Sequence, residues 1–151
     1  MRRLRRFLAL SPAQKRVLLR SLVVLAWVRW TMATRGLAAV EARTMRVMAV
    51  AEGHECAGSV MRGEAEVARL LPVAQCVLPG RSTCLHLAAA LRLLLAERRI
   101  ASDLRFGVRN ERGKFTAHAW LECAGRVLIG GADVYERYAV FQVIKEESGS
   151  A

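Results

Sequence analysis

The stretch RSTCLHLAAALRLLL, residues 81–95, decides the fold. Ser82 or Thr83 can cap a helix, and Leu87, Leu91, Leu94 and Leu95 then share one face at helical spacing. Ala88, Ala89 and Ala90 are small enough for another element to pack closely on them. The spacing predicts a helix over 82–98 with Cys84 in its first turn. Unpaired N–H groups and the positive end of the helix dipole favour a thiolate there, and the same groups can receive an oxyanion.

Beyond this helix the period changes from 3.6 to 2. In DLRFGVRN, residues 103–110, Leu104, Phe106 and Val108 share one face, opposite Asp103, Arg105 and Arg109. NERG reads as a turn, KFTAHAWLEC as a central strand, Ala124-Gly125 as a tight turn, and RVLIG as the returning strand. YAVFQVI is expected to add an edge strand. Within KFTAHAWLEC, Ala117, Ala119, Leu121 and Cys123 form the expected core face, and His118, Trp120 and Glu122 point the other way. A histidine so placed can take a thiol proton and return it to a leaving amine. It needs a third group to fix its tautomer. The hairpin sets residue 118 opposite roughly residue 131, which brings Asp133 close; Glu122 and Asp103 are the other candidates. On this register His118 is expected to look toward the start of the Cys84 helix. An alternative is that Asp133 merely caps the segment VYERY.

The rest of the chain reads as helical and basic. Residues 1–46 hold eleven Arg and Lys against Glu41, so +10 of the net +11 lies there. Ser11-Pro12 starts a helix expected to reach about Trp30. Gly36 is expected to break the chain, and a helix over 37–50 follows with Val40, Met45, Val47 and Met48 inward. AEGHECAGSVMRG reads as irregular, with His54 and Cys56 lacking obvious partners; AEVARLL forms a short helix stopped before Pro72, and residues 72–83 form a loop. The expected division is a basic helical arm, 1–71, and a core, 72–151.

An apolar content of 54% excludes a disordered chain. Four cysteines without close pairing do not make a secreted disulfide scaffold. The apolar belt LVVLAWV is seven residues long, short of the roughly 20 that span a bilayer, so the chain reads as cytoplasmic. The basic arm leaves peripheral membrane contact open, whereas nucleic-acid binding lacks any supporting motif. Cys84, His86, His118 and Cys123 are zinc-capable, but strand alternation sends Cys123 away from His118, so no metal or cofactor is expected.

Residues 72–141 resemble the lasso peptide biosynthesis B2 proteins, a bacterial branch of the transglutaminase-like cysteine proteases. The resemblance rests on Cys84-Leu85 opening an Ala/Leu-rich helix, then Phe106-Gly107-Val108-Arg109, then the strand AHAWLE at 117–122, Gly125 and Asp133. Two departures are the absence of a glycine after Glu97-Arg98-Arg99, and His86-Leu87-Ala88 in place of Pro-Arg-Ser. The second could put His86 near the cleft mouth. The resemblance implies an α+β fold: N-terminal helices, then a transglutaminase/papain-like core with the cysteine helix packed on an antiparallel sheet. It implies a cysteine peptidase that removes the leader from a lasso precursor peptide, with Cys84, His118 and Asp133 catalytic. For the oxyanion donor the candidates are the Cys84 N–H and, from the loop expected over 72–83, the Gln75 side chain. The implied partners are a separate leader-recognition protein of the B1 type and an asparagine-synthetase-like cyclase. The rival readings are a non-catalytic scaffold for that cyclase and a peripheral membrane- or nucleic-acid-binding protein that uses the basic arm.

Overall fold

The computed structural model describes residues 10–49 and 61–141. The fold is α+β. Among the described residues the chain runs α1 (Pro12–Arg35), α2 (Leu37–Ala49), α3 (Met61–Val77), α4 (Cys84–Ala96), β1 (Asp103–Glu111), β2 (Lys114–Cys123), β3 (Arg126–Ile129), α5 (Val134–Arg137) and β4 (Ala139–Val140). The strands form one antiparallel sheet in the order β3-β2-β1-β4. His54, Cys56 and the end of YAVFQVI lie outside the described residues.

α4 is the centre of the packing. Ala88, Ala89, Ala90, Leu91, Leu93, Leu94, Leu95 and Ala96 are all buried. They meet Val24, Leu25 and Val28 of α1, Val40 of α2, Val67 and Leu71 of α3, and Leu121 and Cys123 of β2 in one cluster. The helices ahead of residue 72 are therefore walls of the same core. The boundary expected at 71/72 falls inside α3.

α1 starts with a capping box: the Ser11 hydroxyl accepts from Gln14 N at 3.2 Å, and the Gln14 side chain accepts from Ser11 N at 3.1 Å. It runs past Trp30 to Arg35, because Gly36 (φ 76) is the first residue to leave helical geometry. By length and composition this helix could cross a bilayer. One of its faces, Leu18, Ser21, Val24, Leu25, Val28 and Thr31, is instead buried in the core. The opposite side leaves Leu19, Val23 and Trp30 exposed.

Three local expectations are corrected. Met45 points outward at 57% exposure, because the α2 face set by Val40 passes through Thr44. Pro72 does not stop α3, and the loop expected from 72 starts only after Val77. Proline removes one helical hydrogen bond, but Val67, Leu70, Leu71 and Ala74 are buried on both sides of it while Pro72 itself is exposed. That shared burial carries the helix through. Gln75 accordingly sits on a helix, not in a loop.

α4 ends without glycine. Arg99 adopts the left-handed conformation (φ 61), and Ile100 N donates back to Leu95 O at 3.0 Å. Arg20 Nε donates to Glu97 Oε2 at 2.9 Å, fixing α1 to that end. At the β3 edge of the sheet, Glu64 of α3 is buried and pairs with Arg126 of β3, and it accepts from Cys123 Sγ at 3.2 Å.

Leu25 is fully buried between α1 and α4. Leu25→Ala should destabilise the protein by about 2–5 kcal/mol, measured by urea unfolding, whereas Leu19→Ala, at an exposed site, should cost far less.

Candidate active site

Cys84 is the first residue of α4, half-buried, with Thr83 as N-cap. Thr83 N donates to His86 Nδ1 at 3.0 Å, the Thr83 hydroxyl lies 2.8 Å from the same nitrogen, and His86 N donates to that hydroxyl at 3.4 Å. His86 is thus folded back as a helix cap. An Nδ1 that accepts a backbone N–H carries no proton. Burial, and then the charge of Arg29, lower the His86 pKa and keep the ring in this neutral form.

Arg29 also secures the segment leading into Cys84. Its Nη1 donates to Pro79 O at 2.7 Å, and a Cβ on Gly80 (φ 82) would stand 2.5 Å from its Nη2. Gln75 Nε2 donates to Ser82 O at 3.4 Å, over the same approach. Among the described residues the Cys84 thiol makes no hydrogen bond.

His118 lies half-buried on the central strand β2. Its Nε2 is 2.8 Å from Gly130 O. A carbonyl can only accept, so Nε2 holds the proton of the neutral ring and Nδ1 presents a lone pair. The ring stacks on Tyr138 with centroids 5.0 Å apart, and Arg109 lies 5.4 Å from the Tyr138 centroid. Gly130 approaches so closely that a Cβ there would stand 2.3 Å from Trp120 Cβ.

The carboxylates are distributed differently from the register argument. Asp133 is exposed, makes no cap bond, and holds Arg137 Nη1 at 3.2 Å. Glu122 is buried and accepts from Trp120 Nε1 at 2.6 Å and from the Tyr135 hydroxyl, with Arg105 Nε at 3.4 Å. The Glu122 hydrogen bond, followed by burial, raises the Tyr135 pKa and keeps the phenol a donor. Asp103 faces Arg105 at 3.9 Å.

The structure thus gathers His118, Trp120, Tyr138 and Gly130. It makes no hydrogen bond between His118 and either Cys84 or Asp133. The buried stretch of α4, Ala88 to Leu95, packs on Leu121 and Cys123 of β2. Among the described residues, no group of three or more His, Cys, Asp or Glu is placed to hold a metal ion. Sequence reasoning missed Gly130 O and Arg29. The Gly130-Gly131 pair was the visible signal for the first; nothing local announces the second.

A model of the transglutaminase-like superfamily matches residues 9–143. The chain belongs to this superfamily. No curated protein and no solved structure matches it. The transglutaminase-like match begins ahead of α1, in keeping with a core to which α1, α2 and α3 all contribute. The superfamily includes cysteine peptidases, and Cys84 and His118 are the thiol and imidazole that the sequence singled out for that chemistry.

The His86 cap has a pH consequence. Its folded pKa is depressed, so the unfolded chain binds the proton more readily. The cap's contribution is complete above the unfolded value of about 6.5 and is lost as pH falls through the lower folded value. Thermal unfolding from pH 8 down to pH 5 should show a loss of stability that His86→Asn reduces.

Proposed function

We propose that this chain is a cysteine peptidase that removes the leader from a ribosomally made lasso precursor. The observation that carries it is Cys84 at the capped first turn of α4 in a transglutaminase-like chain. The AHAWLE strand, whose His118 has Nδ1 free to accept a proton, supports it further.

In the proposed reaction the Cys84 thiol meets His118 Nδ1, a contact absent from the resting arrangement, and gives up its proton there. The thiolate attacks the carbonyl at the leader–core junction. N–H groups at the start of α4 receive the oxyanion, with Gln75 as a candidate side-chain donor. The imidazolium returns its proton to the leaving amine, the C–N bond breaks, and the leader is left as a thioester on Cys84. His118 then deprotonates a water that attacks the thioester, releasing the leader carboxylate and restoring the thiol. Asp133 is the proposed partner of the imidazolium. Its pair with Arg137 is an exposed i,i+4 contact, of the kind worth at most about 1 kcal/mol. It can therefore change partners at small cost once His118 is charged.

Iodoacetamide should label Cys84 ahead of Cys56 and Cys76, and Cys84→Ala should abolish leader removal with the fold intact. Asp133→Asn should lower the cleavage rate by at least about tenfold. Cleavage surviving C84A ends the peptidase reading. A parental rate in D133N leaves His118 oriented by Gly130 O alone.

The exposed Leu19, Val23 and Trp30 of α1 favour a docking role for this helix. The proposed partners are the separate leader-recognition protein and the asparagine-synthetase-like cyclase, which must receive the freed amine. Changing these three residues to serine should weaken cyclase co-purification by at least about tenfold while the melting temperature holds. Loss of anionic-vesicle pelleting instead, with cyclase binding kept, would assign the face to a membrane.

A further inference from the structure

β2 has ten residues, yet β3 pairs with it only at Leu121, Glu122 and Cys123. Past Ile129 the chain leaves the ladder. Gly130 (φ 119) and Gly131 (φ 110) turn it over the outer face of β2, where Gly130 O meets His118. The first half of β2 is consequently unpaired on that side among the described residues.

The direction of its free groups follows from the hairpin. Arg112 (φ 52) and Gly113 (φ 82) make a two-residue turn, so Glu111 and Lys114 form its hydrogen-bonded closing pair. Bonding alternates along an antiparallel ladder. Thr116 and His118 therefore exchange bonds with β1, while Phe115 and Ala117 direct N–H and C=O to the open side. The same alternation accounts for Phe141 N donating to Phe106 O at 2.8 Å across the far edge of β1. Phe115 is 73% exposed, and Thr116 and Ala117 are exposed as well. Open edges are templates for strand addition and are commonly blunted by charge or proline. Phe115-Thr116-Ala117 carries neither.

We infer that this open edge of β2 takes an extended segment of the peptide substrate as an added strand. The inference rests on the peptidase reading above. Ala117 immediately precedes His118 in the chain. A segment bonded to Phe115 and Ala117 is therefore delivered beside the imidazole, where a scissile amide must lie. Main-chain bonding of this kind holds a peptide of varied sequence in one register, and alternate side chains supply selectivity. The peptide binds here as a strand, and its backbone is what the edge recognises.

The test uses the full chain and a synthetic peptide spanning the precursor's leader and first core residues. In the Cys84→Ala protein, saturating peptide should slow amide exchange at Phe115 and Ala117. Thr116 and His118, already bonded to β1, should change little. Ala117→Pro deletes one outward N–H without touching the ladder to β1 and should raise KM about five- to tenfold; slow exchange at Thr116 and His118 confirms that its hairpin persists. Phe115→Pro is the second variant and should behave alike. Unchanged exchange at Phe115 and Ala117 with bound peptide overturns the inference, as does an unchanged KM in both variants. Protection that grows with protein concentration in the absence of peptide also overturns it, since the edge then pairs with a second copy. The exchange measurement needs no cleavage, so failure of the parental protein to cleave would remove the peptidase reading while strand addition is still decided by binding.

Discussion

Everything else in the fold depends on the burial of α4. From Ala88 to Ala96, all residues but Arg92 are buried. A helix apolar on nearly every side has to be enclosed. α1, α2 and α3 wall it on the helical side and β2 covers the remaining face. Arg92 is the polar exception, and it is paired with Glu41 of α2. Enclosure leaves the chain few places to present chemistry. One is the first turn of α4, where Thr83, Cys84 and His86 come out of the core.

That geometry explains why the segment before Cys84 is held so firmly. A loop ahead of a buried helix would otherwise let the first turn fray. Arg29 reaches from α1 to Pro79, Gln75 reaches from α3 to Ser82, and His86 returns to Thr83. Three helices thus fix the position of one thiol.

β2 is used on both faces and along one edge. Its core face completes the enclosure of α4. Its outer face builds a polar and aromatic layer in which Glu122 joins Trp120, Tyr135 and Arg105, and His118 stacks on Tyr138. A buried carboxylate is tolerable there because donors surround it. The turn at Gly130-Gly131 links these uses: only a residue without Cβ can pass so close to Trp120, and in passing it both meets His118 and uncovers the edge of β2.

The sequence by itself determined the elements whose signals are local. A Ser82 or Thr83 cap and the Ala/Leu face specified α4, alternation specified β1 and β2, and the Ala124-Gly125 turn specified where β3 begins to pair with β2; the turn read as residues 110–113 is tightened in the structure to Arg112-Gly113. Cys84 and His118 stood out because their positions on those elements were readable. Tertiary structure alone decided what depended on distant burial. Pro72 reads locally as a stop, yet shared burial on both sides carries α3 past it. Arg99 replaces the missing glycine because Ile100 is buried and the chain must turn there. The partners of His118 and Asp133 were beyond register arithmetic, since it counts residues along strands. What placed Gly130 O on the imidazole and Arg137 on Asp133 was the departure of the chain from the strand.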